Sequence, residues 1–383
     1  MLFKKKETAP TTITSQIRIN RCSSCGQILQ TDDPKKSGYI SPNRLEKHIE
    51  EGFCNRCYNL RHFNASNNNE FNADYIKILN KAKNDQALIV YVLDLFSFEP
   101  SLIPNIGKYL PDNLIVILNK RDILGPLFND DKLISDALKR LKVENIIPRK
   151  ILLFSSITQL NITKLFNIMN EERKGKDVYF IGASLVGKSS IVTEMLRQYV
   201  NNTSRMITTK QIEGTYLDVM EIPLDENSSM YDTPGIFNPN SILNQLERNT
   251  SKYIVPREEV NLRKIILSKK MGIIAGAIFA FTIESGEKTE YTFRVSNAVD
   301  FTIIKLDKLE KTFNNLIATN AVKPISEQIK TLDDLSVQEV EVPNVDKEVT
   351  LVIFGLLRIT FKGIGQKFKI YLPKNVAIKL LID

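Results

Sequence analysis

The sequence predicts an α/β fold. An open, doubly wound domain over residues 65–250 follows a zinc-binding segment at 1–64 and precedes a β-rich domain at 251–383. Three observations predict this. Apolar runs suited to buried parallel strands alternate with amphipathic stretches through the middle of the chain. A glycine-containing phosphate-loop pattern joins one such strand to a helix. All four cysteines fall in two Cys-x2-Cys pairs near the N-terminus.

In the middle of the chain, 71–83 reads as a helix, and Ala87–Leu93 (ALIVYVL), Leu114–Leu118 (LIVIL) and Ile151–Phe154 read as strands buried on both faces. Amphipathic stretches near 131–141 and 161–172 lie between or after them. Asp177–Ile181 is a fourth strand, followed by a turn and a helix over 188–199. Leu217–Ile222 and Met230–Tyr231 complete the sheet. After about residue 250 the period shortens. Glu290–Val295, Val349–Phe354, Leu357–Phe361 and Lys367–Tyr371 alternate as antiparallel strands do, with turns expected at Gly286, Gly363 and Gly365. The stretch from Ala321 to Pro343 reads as a helix and a linker.

Composition narrows the class. With 383 residues, 43% hydrophobic and 25% charged, the chain is globular and neither disordered nor collagenous. Its longest apolar run, Met271–Phe281, is shorter than the about 20 residues that cross a bilayer. Three lysines near the start precede no apolar stretch, so no secretory signal is read and a cytoplasmic location is expected. Lys and Arg outnumber Asp and Glu 11 to 6 over residues 1–64 and 20 to 16 over 251–383, against 21 to 22 between them. Basic ends around a neutral middle fit a polyanionic partner.

The cysteine pairs are Cys22/Cys25 and Cys54/Cys57. A Cys-x2-Cys hairpin aims two thiolates at one tetrahedral ion, and two hairpins close a four-thiolate zinc site. Such a site keeps no open position for water, so its expected role is structural. His48 and His62 are then surplus to the metal.

Gly182-Ala-Ser-Leu-Val-Gly187-Lys188-Ser189 fits GxxxxGK[ST] and opens a helix after a strand. Gly182 and Gly187 let backbone amides wrap a phosphate, and the helix N-terminus adds positive potential. Lys188 is expected on the β- and γ-phosphates, Ser189 on Mg²⁺, and Ser190 beside them. Asp232-Thr-Pro-Gly235 follows the next strand. There Asp232 serves the Mg²⁺ shell, and the Gly235 amide serves the γ-phosphate. Lys188, Asp232 and Gly235 are the residues expected to act in hydrolysis.

Asn119-Lys120-Arg-Asp122 stands at the carboxyl end of the 114–118 strand. A carboxylate at Asp122 accepts from guanine N1–H and N2–H₂ together, a pair that adenine lacks. Asn119 is expected to hold the loop and touch the base, with Lys120 beside it, and Ser155-Ser156 to supply a further base contact through its backbone. The order is informative. The base-selecting motifs precede the phosphate loop, whereas an ordinary Ras-type chain runs the other way. A circularly permuted chain assembles the same site.

With NKRD, SSI, GASLVGKS, GTYLD and DTPG in that order, the cysteine pairs before them, and a β-rich end containing FGLLRITF and LPKNVAI, the chain resembles the YqeH group of circularly permuted GTPases. The resemblance runs from about Cys22 to the end. It implies a GTPase that binds GTP/GDP with Mg²⁺, carries a zinc finger, and assists small ribosomal subunit assembly through contacts to rRNA or ribosomal proteins. Two positions depart from the group's pattern. Tyr216 follows Thr215 where a second Thr is usual. Leu185 stands where the group usually has Asn, a residue linked with potassium-assisted hydrolysis. Slow hydrolysis without potassium stimulation is therefore expected. The alternative is an RNA-binding scaffold whose nucleotide domain senses guanine nucleotide but scarcely turns it over. In the C-terminal region Lys362, Lys367, Lys369, Lys374 and Lys379, interleaved with Phe361, Phe368 and Tyr371, form a candidate RNA surface.

Overall fold

The computed structural model describes residues 22, 27–34, 36, 38–42, 53–55, 57–58, 68–199, 208–211 and 217–382. Cys25, His48, His62, Thr215 and Tyr216 lie outside the described residues.

The nucleotide region begins with α1 (Asn68–Asn84) and β1 (Leu88–Asp94), followed by the short helix α2 (Phe98–Ser101) and β2 (Leu114–Asn119). Then come α3 (Asp130–Val143), β3 (Lys150–Leu153), α4 (Ile162–Arg173), β4 (Val178–Ile181) and α5 (Lys188–Tyr199). β5 (Thr208–Gln211), β6 (Asp218–Pro223) and β7 (Ser229–Asp232) complete it. The seven strands form one sheet in the order β3-β2-β1-β4-β7-β6-β5. β1 pairs parallel with both β2 and β4, β4 pairs parallel with β7, and β6 and β5 close the edge antiparallel.

β1 shows why the run LIVYVL is apolar throughout. Ile89, Tyr91 and Leu93 enter one core with Tyr75, Ile78 and Leu79 of α1 and Leu141 of α3. Leu88, Val90 and Val92 enter the other with Leu165 of α4 and Ile191 and Met195 of α5. Successive strand residues point to opposite faces, and helices cover both, so no position is left for a polar side chain. α3 is fixed at its start by the Asn129 side chain, which accepts from the Lys132 amide at 3.0 Å. Asp130 and Asp131 in its first turn and Arg140 and Lys142 in its last match the helix dipole.

The C-terminal region holds α6 (Arg248–Ile254), β8 (Arg263–Leu267), β9 (Met271–Ala275), β10 (Phe279–Ser285), β11 (Thr289–Val295) and β12 (Phe301–Lys305). It continues with α7 (Leu309–Ala318), β13 (Ser336–Glu341), β14 (Asn344–Ile353), β15 (Leu357–Ile364), β16 (Lys367–Leu372) and β17 (Ile378–Ile382). Two five-stranded antiparallel sheets, β12-β9-β10-β16-β13 and β17-β14-β15-β11-β8, share one core. Phe361 of one sheet meets Phe368 of the other edge-on at 5.4 Å between ring centroids. The apolar run Met271–Phe281 supplies β9 and the start of β10, paired antiparallel. Among the described residues no helix is long and apolar enough to cross a membrane.

Four readings of the sequence change. Gly363 lies inside β15 rather than at a turn. The helix expected between Ala321 and Pro343 falls earlier, as α7, and part of the presumed linker is the edge strand β13. β5 goes unforeseen because four polar residues (TTKQ) carry no apolar pattern. The candidate RNA surface does not hold together. Phe361 and Phe368 are buried, and Lys367 and Lys369 lie on a different sheet from Lys362 and Lys379. Lys362, Lys367 and Lys369 are also paired with Asp346, Glu341 and Glu339.

Candidate functional site

The loop 182–188 leaves β4 and opens α5 between two neighbours it touches directly. On one side is the end of β2. Asn119 is buried, and its Nδ2 donates to the Val186 carbonyl at 2.8 Å. Gly187 sits at φ 97°, and a Cβ there would collide with the same amide nitrogen. Glycine is therefore required both by backbone conformation and by the approach of Asn119. On the other side is the DTPG loop after β7. The Ser184 amide donates to the Ile236 carbonyl at 2.8 Å, and the Ile236 amide donates to the Gly182 carbonyl at 3.1 Å. A Cβ on Gly235 would lie 2.8 Å from Ser184 Cα.

Lys188 is buried, and its ammonium donates to the Gly182 and Ala183 carbonyls at 2.9 and 3.0 Å, across the neck of its own loop. Ser189 is half-buried and Ser190 exposed in the first turn of α5. Asp232 is buried at the end of β7, in register with Phe180 of β4. The arrangement gathers backbone amides, a buried ammonium, a hydroxyl and a carboxylate at one helix N-terminus, the donor set a Mg²⁺-bound polyphosphate requires.

The base-selecting loop turns immediately after β2. Lys120 adopts a left-handed conformation at φ 67°, and its ammonium pairs with Asp94 at 2.5 Å. Asp94 ends β1, and its other carboxylate oxygen accepts from the Phe96 and Ser97 amides. Asp122 is half-buried in the short turn Arg121–Ile123. The Arg121 amide donates to the Phe154 carbonyl at 3.0 Å, which joins this loop to the Ser155-Ser156 segment. Ser155 is buried, and its hydroxyl accepts from the Ile157 and Thr158 amides, so that segment is a rigid turn. Of the expected nucleotide residues, all but Thr215 are thus placed on the β2, β3, β4 and β7 ends of one sheet.

Two residues outside the motifs hold these loops. Asp94 is one. The other is Tyr75 of α1, whose hydroxyl accepts from the Gly182 amide at 3.3 Å and lies 2.9 Å from Thr233 Oγ1. Thr233 Oγ1 donates to the Phe180 carbonyl at 2.7 Å, so its one hydrogen is used and Tyr75 is the donor to it. Burial pushes the Tyr75 phenol well above its ordinary pKa, which keeps that proton in place. A polar position on an otherwise apolar α1 face is the only sequence signal for Tyr75. Asp94, a carboxylate ending a fully apolar strand, was the more findable.

Leu185 takes a left-handed conformation at φ 67° and packs against the core of the C-terminal sheets. The chain beyond the DTPG loop enters that same core at Ile242, Leu243 and Leu246. Ile242 N–H donates to the Phe354 carbonyl, and the Asn238 side chain donates back to Pro100 at 2.8 Å. Both phosphate-side loops therefore touch the β-rich region.

In the N-terminal segment the sulfurs of Cys22, Cys54 and Cys57 lie within 4.8 Å of one another, and all three residues are buried. The Cys54 amide donates to Cys22 Sγ at 3.4 Å, as amides do toward a thiolate ligand. Three convergent soft ligands fit zinc better than any hard cation.

A family model described as "50S ribosome-binding GTPase" matches residues 177–332. That match begins at β4 and leaves the base-selecting segment upstream of it, as a permuted order requires. The chain is 28% identical over 359 residues to YqeH of Bacillus subtilis, covering 93% of this chain and 97% of that protein. It is 26% identical to NO-associated protein 1 of Arabidopsis thaliana over 57% of this chain, and spans 44% of that longer relative. Among solved structures, YjeQ from Thermotoga maritima matches 42% of this chain and 54% of its own at 19% identity and a TM-score of 0.26, a likeness too slight to argue from. The ordered motifs, their convergence on one sheet and the end-to-end match make the chain similar to YqeH, and its residues 177–332 match a GTPase family model.

Proposed function

We propose that this chain is a Mg²⁺-dependent GTPase that assists assembly of the small (30S) ribosomal subunit. The observation that carries the reading is the docking of both the Asn119 loop and the DTPG loop on residues 182–187. Base selection and phosphate binding then share one rigid floor. Asp122 selects guanine, with Asn119, Lys120, Ser155 and Ser156 shaping the base pocket. Gly182, Gly187, Lys188, Ser189, Ser190 and Thr215 hold the phosphates. Ser189 and Asp232 are the side chains that would hold Mg²⁺, which neutralises charge developing on the phosphates. Lys188 and the Gly235 amide stabilise the phosphoryl group as water attacks.

The domains take the limits 1–64, 65–250 and 251–383, and Cys25 joins Cys22, Cys54 and Cys57 in a four-thiolate zinc finger. The ribosomal role rests on the resemblance along nearly the whole chain. The matched family model is described by the large subunit, but it spans only 177–332, so subunit choice belongs to the experiment. Its mechanical basis is short: six residues separate Gly235 from Ile242, which is already in the C-terminal core. Movement of the DTPG loop on γ-phosphate loss is then passed to the β-rich region.

Leu185 favours a second reading. An apolar side chain packed against the neighbouring core offers no ligand to a monovalent cation, which fits a nucleotide-sensing scaffold with weak turnover. Steady-state GTP hydrolysis in Mg²⁺, alone and with purified 30S or 50S subunits, separates the two. Turnover raised severalfold by 30S alone supports the assembly GTPase. Tight GTP binding with flat turnover throughout replaces it with the scaffold, and stimulation by 50S alone moves the partner.

A further inference from the structure

A cavity of about 390 Å³ lies between α3 of the nucleotide region and the outer face of β11, β14 and β15. None of its lining residues belongs to the phosphate, base-selecting or DTPG loops. On the sheet side, Arg294 of β11 stands directly opposite Arg358 of β15. Like charges so placed repel, and a sheet ordinarily avoids them. The next row holds Thr292, Thr360 and Thr350, with the last two hydroxyls 3.0 Å apart.

The charges do not balance. Glu99 is buried, and its Oε1 accepts from both Arg140 at 3.0 Å and Arg358 at 3.1 Å. Arg294 makes no hydrogen bond to it, although Glu99 and, beyond it, Asp94 lie near enough to act on its charge. The Arg294 Nε and Nη2 are sealed from solvent and have no hydrogen-bond partner among the described residues. The guanidinium lies against Phe128 and Phe96, at 5.5 and 5.9 Å from the ring centroids. Even if Arg294 swung onto the second oxygen of Glu99, one carboxylate would face three guanidinium groups. Removing an unpaired charge from water costs several kcal/mol. Arg294 and Arg358, side by side next to hydroxyl donors, are of the residue type that recognises a tetrahedral oxyanion. Lys132, Asp136 and Glu348 line the exposed rim, where water screens them.

We propose that this cavity binds a phosphate-class oxyanion between Arg294 and Arg358, either free or as the terminal group of a small phosphorylated metabolite. Its volume lies in the range of small-ligand pockets and leaves room for a substituent. Glu99 and Arg140 come from one region and Arg294 and Arg358 from the other, so the bound anion braces the contact between them.

The test uses the full chain saturated with GDP and Mg²⁺, so that the phosphate loop is filled. Inorganic phosphate or AMP is titrated against chloride at constant ionic strength, with melting temperature and calorimetric heat as readouts. Phosphate is expected to raise the melting temperature by at least about 2 °C over chloride. Arg294→Gln is expected to abolish that rise while GDP affinity stays unchanged. Thr292→Leu, which fills the cavity and keeps every charge, does the same and serves if Arg294→Gln fails to fold. A larger response to AMP than to phosphate identifies an ester as the ligand, and the reverse identifies the free ion. No phosphate-specific rise in the native chain, or a rise retained in both variants, overturns the proposal. Failure to bind GDP at all would instead strike the nucleotide reading. The phosphate titration is then run on Lys188→Ala, whose phosphate loop lacks its ammonium, with the same expected and overturning outcomes.

Discussion

The side-chain amide of Asn119 donates to the main-chain carbonyl of Val186 at 2.8 Å, across 67 residues of sequence. This bond joins the loop proposed to select the base to the loop proposed to wrap the phosphates. Both partners are buried, so neither has water to fall back on. Losing one partner of a buried hydrogen bond costs about 1–3 kcal/mol. Asn119→Ala is expected to lower the stability of the nucleotide-free protein by about 1–3 kcal/mol and to weaken GDP binding by roughly tenfold to a hundredfold. Titration with a fluorescent GDP analogue measures it, and affinity within twofold of the native chain would remove Asn119 from the site.

Tyr75 makes a different kind of prediction because it belongs to no nucleotide motif. Its hydroxyl receives from Gly182 N–H and donates to Thr233 Oγ1. Tyr75→Phe leaves a buried amide unpaired and loosens the phosphate loop from the DTPG loop. Stability is expected to drop by about 1–3 kcal/mol. Single-turnover GTP hydrolysis is expected to fall more than GDP affinity, because the DTPG loop is concerned with the γ-phosphate. Equal losses in both would mean that Tyr75 only supports the fold.

These two residues show where sequence reading stops. β1 and β2 were legible because each is buried on both faces, and nothing but an apolar run satisfies that position. The phosphate loop was legible because its glycines answer local backbone needs. Tyr75 meets Thr233 across 158 residues, and no spacing rule encodes a contact made by the closure of a sheet. Leu185 was visible as a departure but not as a contact. Its neighbours belong to a core whose first members follow it by more than 50 residues. β13 was missed for another reason. Edge strands show one face to solvent, and Ser336–Glu341 reads like a linker until it pairs with β16. The lysine and aromatic alternation of the C-terminus does not by itself mark a surface, since a half-buried sheet produces the same pattern.

Leu185 predicts the ionic behaviour of the enzyme. An isobutyl group packed on the C-terminal core provides no oxygen for a monovalent cation. GTP turnover is expected to be the same in potassium and sodium chloride at equal ionic strength. Leu185→Ala gives up half-buried apolar contact and is expected to cost about 1 kcal/mol, below the range for a fully buried leucine. A severalfold activation of the native chain by potassium would show the first inference to be wrong.

The thiol cluster predicts one zinc ion per chain. Cys22, Cys54 and Cys57 already lie within tetrahedral reach of a common centre. Elemental analysis of the purified protein is expected to find about one zinc per chain, reduced at least severalfold in Cys54→Ser. Guanine-nucleotide affinity is expected to survive that substitution, because no residue of the cluster belongs to the nucleotide loops. A zinc content near zero in the native chain would reassign the three cysteines to simple packing.

Glu99 carries the last prediction. Burial pushes its carboxyl up, but Arg358 and Arg140 together outweigh that effect and hold its pKa below the ordinary carboxylate value. A carboxylate depressed in the folded state stabilises the fold above its unfolded pKa of about 4.3 and loses that contribution as pH falls through the folded value. The stability difference between the native chain and Glu99→Gln, from urea midpoints, is therefore expected to be constant above about pH 5 and to shrink below about pH 4. Glu99→Gln leaves three guanidinium groups facing one another without a counter-charge, so the plateau is expected at about 3–5 kcal/mol, the cost of breaking a buried ion pair from one side. Phosphate added at pH 7 should recover part of that loss, because the proposed oxyanion supplies the charge that Glu99 no longer brings. A plateau that persists to pH 3 would show that Glu99 acts through its shape and hydrogen bonds rather than its charge.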